Sequence, residues 1–126
     1  MPSVHDDVID GAHNIVKNNC DKMVACSATP TTYTEANATY ALADVAMTST
    51  DFTIANGDVS GRKITTGAKT GALIDASGTA TCVAKLDTSN SKLLEVVDLS
   101  ASQALTANGS NTVNFPAHKR EIRDPA

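Results

Sequence analysis

The chain has 126 residues, with 10 Lys and Arg against 14 Asp and Glu and a net charge of −4. That length carries one domain and leaves little room for a second core. A mildly acidic chain has no electrostatic footprint for nucleic acid, and no apolar run approaches the ~20 residues that span a bilayer.

Hydrophobic residues make up 41% and aromatics only 3%, with no Trp, so Ala and Val must build a thin core. Charged residues, at 19%, fall below the ~25% usual for globular domains, and Thr, Ser and Asn take up the difference. No basic flank followed by an apolar stretch opens the chain, so a secretory signal is not expected.

The opening segment predicts a helix over roughly residues 3 to 20. Ser3 followed by Asp6 reads as a capping-box variant, and Asp6, Asp7 and Asp10 lie where the positive end of a helix dipole favours anions. Lys17 and Lys22 lie toward the other end, and Asn18-Asn19 is a stop signal. At ~100° per residue, Val4, Val8, Ala12 and Ile15 fall on one apolar stripe, with Asp6, Asp10, His13 and Lys17 almost opposite. Ile9, Val16 and Cys20 form a second apolar strip beside the first. One strip can rest on the chain's own sheet; the other wants either a second layer of the same domain or another subunit. In so short a chain another subunit is favoured, which makes Ile9, Val16 and Cys20 contact candidates.

From Met23 the pattern turns to short strands. Met23-Val24-Ala25-Cys26 is apolar and ends at Ala28-Thr29-Pro30. The Thr-rich stretch from Thr31 to Tyr40 reads as a long loop, with Tyr33 and Tyr40 as isolated aromatics and candidate contact residues. Ala41 to Met47 fits a weak strand or a helical turn. Phe52 to Ala55 runs into Asn56-Gly57, a strong two-residue hairpin signal, with Val59 to Thr66 returning and Gly61 as a bulge position.

Ala72 to Asp75 is followed by a Ser77-Gly78 turn. Thr79 to Leu86 alternates, placing Ala80, Cys82, Ala84 and Leu86 on one face and Thr79, Thr81, Val83 and Lys85 on the other. Leu93 to Leu99 is the most hydrophobic strand and is expected to be central. Thr112 to Phe115 begins a last strand that Pro116 confines to an edge or bulge. The charged tail from Lys119 to Ala126 reads as an extended arm, with Arg120, Ile122 and Arg123 as contact candidates.

Turn signals about every ten residues indicate an antiparallel sandwich or barrel. The expected fold class is therefore mainly β. An N-terminal amphipathic helix (residues 1–22) serves as a subunit-contact element. An antiparallel β-sandwich over residues 23–126 follows, with jelly-roll and immunoglobulin-like topologies both open. The expected core is Phe52, Ile54, Ile74, Val83, Leu86, Leu94, Val96 and Leu99.

Catalytic and cofactor chemistry finds no pattern. Cys20, Cys26 and Cys82 match no zinc spacing, and their odd number prevents a closed internal disulfide set. Cys26 and Cys82 fit buried strand positions, whereas Cys20 at the helix end could bridge two subunits. Asp6, Asp10 and His13 share a helical stripe, but an ordinary charged helix face explains them. No G-x-S-x-G elbow is present. Gly57-Asp58-Val59-Ser60-Gly61-Arg62-Lys63 resembles a P-loop only superficially: its glycines are one residue too close, and Ile64 follows Lys63. No catalytic residue, cofactor or metal is expected.

Several strings taken together carry a family resemblance. They are Val4-His5-Asp6-Asp7-Val8-Ile9-Asp10-Gly11-Ala12, the stretch from Cys26 to Ala36, Gly57 to Lys63, Ser77 to Thr81, and Glu121-Ile122-Arg123-Asp124-Pro125. Spanning nearly the whole chain, they resemble small virion proteins of tailed bacteriophages, particularly those infecting alphaproteobacteria. The resemblance implies a structural protein made in the host cytoplasm and carried on the particle. Chain size, acidity and the lack of fibrous repeats favour a capsid decoration protein over a neck, collar or tail-attachment component. The expected partners are the major capsid protein or neighbouring virion proteins, and further copies of the chain, with a trimer favoured. Neither nucleic acid nor membrane is expected. A carbohydrate-binding or host-adhesion module is the alternative from another class, with Tyr33 or Tyr40 as its stacking residue.

Overall fold

The computed structural model describes residues 3–125. It is mainly β, with one N-terminal helix and antiparallel strand pairs throughout. Helix α1 spans Asp6–Asn19. His5 rather than Ser3 caps it: its backbone is extended, and its Nδ1 accepts from the Asp7 amide at 3.1 Å. Cys20 closes the other end through its amide on the Val16 carbonyl.

Strands β1 (Lys22–Cys26), β2 (Ala41–Ala46), β6 (Gly78–Asp87) and β7 (Lys92–Leu105) form a four-stranded sheet in the order β2-β1-β6-β7. Strands β3 (Phe52–Asn56), β4 (Arg62–Thr66) and β9 (His118–Ile122) form a second sheet in the order β3-β4-β9. Strands β5 (Lys69–Leu73) and β8 (Thr112–Phe115) pair separately. The order β2-β1-β6-β7 departs from the immunoglobulin order.

Two buried clusters hold the main sheet. On its inner face, Met23 and Ala25 of β1 meet Phe52 of β3, Ile64 of β4 and Phe115 of β8. On its outer face, Val24, Cys26, Cys82, Ala84 and Leu86 lie under Ala36. A strand buried on both faces reads as a continuous apolar run, which is why Met23 to Cys26 shows no alternation.

Two expectations are corrected here. The apolar stretch Leu93 to Leu99 is not central: it belongs to β7, an edge strand paired only with β6. It is apolar because both its faces pack, Leu94 and Leu99 on the inner cluster and Leu93 and Val96 on the outer one. The four residues Ala80, Cys82, Ala84 and Leu86 do not share one face. Ala80 belongs to the inner cluster and the other three to the outer one, and the change falls where the pairing with β7 is interrupted between Ala80 and Cys82. The irregularity lies in β7, where the five steps from Asp98 to Gln103 oppose two on β6.

The Asn56-Gly57 signal marks a real β3–β4 hairpin, but Asn56 pairs with Arg62, so residues 57–61 form a longer loop. The Gly57 amide donates to the Gly61 carbonyl at 2.9 Å. Gly61 has φ +66°, and a Cβ there would run into the Ile122 carbonyl of β9. Only glycine suits both demands. Of the expected core, Phe52, Ile74 and Leu86 are buried, while Ile54, Val83, Leu94, Leu99 and Val96 pack half-buried around them.

Candidate functional site

Helix α1 docks by the face expected to be free. Ile9, His13 and Cys20 are buried, and Val16 packs half-buried on the inner cluster. Polar hooks fix this orientation. The Arg62 carbonyl can only accept, so His13 Nε2 carries the proton it donates there at 3.1 Å. Arg62 Nε donates to Asp10 Oδ1 at 2.8 Å, and Lys17 Nζ donates to the Phe52 carbonyl at 2.7 Å.

Ile9, Val16 and Cys20 are therefore engaged within the chain, which corrects their assignment as subunit contacts. The stripe left outside holds Gly11, Ala12, Val8 at 67% exposure and Ile15 at 54%. Cys20 is also closed to a bridge between subunits. Its thiol points at the Lys22 carbonyl, and burial pushes its pKa up to about 11. A buried protonated thiol is a poor nucleophile for disulfide chemistry.

The segment from Thr31 to Tyr40 is not simply a long loop. It winds through a π-helical turn (Glu35–Thr39) that lays fully buried Ala36 on the outer face of the main sheet. Tyr33 and Tyr40 pack half-buried beside Ala36. The Glu35 carboxylate accepts from the Thr31 amide and hydroxyl at 2.9 and 2.8 Å, which holds its pKa below the usual carboxylate range.

The C-terminal segment is likewise a paired strand rather than a loose arm, with Ile122 opposite Arg62 and His118 opposite Thr66. Arg120, Ile122 and Arg123 nonetheless present side chains to solvent. Beyond β9, the Asp124 amide donates to Ser60 Oγ at 3.1 Å, and the Val4 amide donates to Asp124 Oδ1 at 3.4 Å. The Val59 amide donates to Glu121 Oε1 at 3.0 Å. One end of the molecule thus gathers the start of the helix, the β3–β4 loop and the C-terminal segment, with Val59 and Ile122 exposed on it. Asp58, bonded to Lys119 and Lys63, has its pKa pulled down to about 2.

The structure adds a charged centre. Lys85 of β6 and Glu95 of β7 are register partners, with side chains 3% and 2% exposed and Nζ 3.4 Å from Oε1. His118 Nε2 lies 3.6 Å from the same oxygen, and an Arg120 guanidinium nitrogen lies 3.6 Å from Oε2. Glu95 Oε2 and Thr66 Oγ1 are buried without a hydrogen-bond partner. Burial, and next the Lys85 ammonium, hold His118 below its usual imidazole pKa, although Glu95 pulls the other way. The sequence carried a signal for this centre: one opposite charge sits inside each of two apolar strands that pair.

Among the described residues, no group of three or more His, Cys, Asp or Glu could hold a metal ion. Asp10 of the Asp6, Asp10 and His13 stripe is engaged by Arg62. No helix is long and apolar enough to cross a membrane. Comparison with family models, with curated proteins and with solved structures returns no match.

Proposed function

We propose that the chain is a structural rather than catalytic protein of a tailed-bacteriophage particle. In this reading it is a decoration protein that ties neighbouring subunits of the head together, itself as a homo-oligomer of trimeric type. The observation that carries the reading is the outer face of α1. There Val8 and Ile15 stand in water on a helix whose opposite face is already docked. Gly11 has open space where a side chain would be, and Ala12 adds only a methyl, so a neighbouring backbone can approach closely between the two larger side chains. The exposed Val59 and Ile122 offer further apolar area.

Burying an aliphatic side chain is worth about 1.5–3 kcal/mol, so a single such contact is modest. Repetition by symmetry over a shell adds many of them and makes attachment firm without a large interface. The phage resemblance of the sequence supports the same reading.

Val8→Glu with Ile15→Glu tests it, because both positions are solvent-facing and the fold tolerates charge there. The wild-type chain is expected to co-sediment with particles of the phage that encodes it. The double variant is expected to stay in the supernatant with an unchanged circular dichroism spectrum and melting temperature. A wild-type chain that never sediments with particles removes the proposal.

A further inference from the structure

Where β7 faces the segment linking β8 to β9, the two sheets part around a cavity of about 270 Å³. It opens to solvent on one side and far exceeds the space that a single water needs. Met23, Val83, Leu99, Phe115 and Pro116 supply apolar walls. Thr66, Lys85 and His118 also line it. Thr66 is 1% exposed, and its hydroxyl has no partner in the protein. Lys85 has three N–H donors, yet Glu95 accepts its one hydrogen bond among the described residues. A buried hydroxyl and a buried ammonium with unspent donors both cost free energy until something accepts from them.

We propose that this cavity binds a small monocarboxylate with a short alkyl tail, its head accepting from Lys85 and Thr66 and its tail lying against Leu99 and Phe115. The unspent donors favour an accepting head. Lys85 and Arg120 are already balanced by Glu95 and Asp98, so the head is held by hydrogen bonds from Lys85 and Thr66 rather than by net charge. Asp98 also lines the cavity, but from a solvent-exposed position. Glu95 does not line this cavity; it lines a neighbouring hollow with His118, Lys119 and Arg120.

The test is calorimetric titration of the whole chain with hexanoate, hexanol and hexylammonium, and mapping of the hexanoate site by amide chemical shifts. Hexanoate is expected to bind at least about tenfold more tightly than either analogue, as a charge-assisted hydrogen bond provides. Shifts should centre on Thr66, Lys85, Leu99 and Phe115. Thr66→Val keeps the side-chain volume and removes only the hydroxyl. It should weaken hexanoate about tenfold without lowering the melting temperature. Ser100→Trp, at an exposed lining position, should block binding while leaving the fold intact. Three results overturn the proposal: no hexanoate binding, hexanol or hexylammonium binding as tightly as hexanoate, or hexanoate shifts that ignore Ser100→Trp.

Discussion

The two faces of the four-stranded sheet solve the same packing problem differently. Outside, Val24, Cys26, Cys82, Ala84 and Leu86 are closed off by Ala36 of the π-helical turn together with Tyr33, Tyr40, Ala41, Leu93 and Val96. Two of the chain's four aromatics, Tyr33 and Tyr40, complete that cover. Inside, the partner is a second sheet, and stacked sheets keep a spacing of ~10 Å that Ala and Val cannot fill. Phe52 and Phe115 bridge the gap where they stand. Elsewhere the sheets part, leaving hollows of about 270 and 200 Å³. With aromatics at 3% of the chain, the thin core foreseen from composition falls on the inner face alone.

The largest expected effect comes from the charged centre of the inner face. Glu95→Ala leaves Lys85 buried beside no carboxylate, and breaking such a pair costs about 3–5 kcal/mol. Urea denaturation measures it. A loss below ~1 kcal/mol would show that water already reaches Lys85, and the inner face would then be wetter than its burial indicates. Next comes a matched pair of truncations. Leu86→Ala on the dry outer face should fall at the upper end of ~2–5 kcal/mol, because nothing there can collapse into the space. Leu99→Ala, half-buried beside an existing hollow, should fall at the lower end. Equal losses would erase the contrast between the faces.

Gly61→Ala is expected to cost about 1–2 kcal/mol for the left-handed backbone, and more if β9 must move away from the new methyl. Hydrogen exchange should then quicken in β9 before it changes in β1 or β6. Uniform quickening would instead mean that the hairpin loop and the C-terminal strand open only with the whole fold.

The sequence shows where each kind of packing starts more readily than which side it takes. Strand positions from Met23 to Cys26, the hairpin at Asn56-Gly57 and the helix itself are legible because periodicity and turn chemistry are local. The docking face of α1 is not. Two apolar strips lie side by side, and what decides between them is distant: the Arg62 carbonyl that receives His13 and the carbonyl of Phe52 that receives Lys17. Charged and polar residues that look like a solvated face are the hooks. The outer cover is illegible for a related reason, since Thr31 to Tyr40 is polar by composition and buries little beyond Ala36 and parts of two tyrosines. The change of face along β6 falls opposite a bulge in β7 that no residue announces.

Acid separates the two faces with the smallest effect. On the outer face, burial pushes Cys26 up to about 12 and raises Cys82, so neither thiol ionises near neutral pH. On the inner face, His118 sits below 6.5, held there first by burial and then by Lys85 and Arg120 against Glu95. Its folded form binds a proton less readily than its unfolded form. Its contribution is therefore full above pH 6.5, declines as the pH falls toward the folded pKa, and is constant below that. Carboxylates held low, such as Asp58 at about 2, act in a separate window below ~4, where their stabilisation is lost as they protonate. Urea midpoints taken between pH ~7.5 and ~5.5 should drift downward in the wild type, and His118→Gln should reduce that drift. An identical drift in both would place the titrating group elsewhere and remove His118 from the charged centre's response to acid.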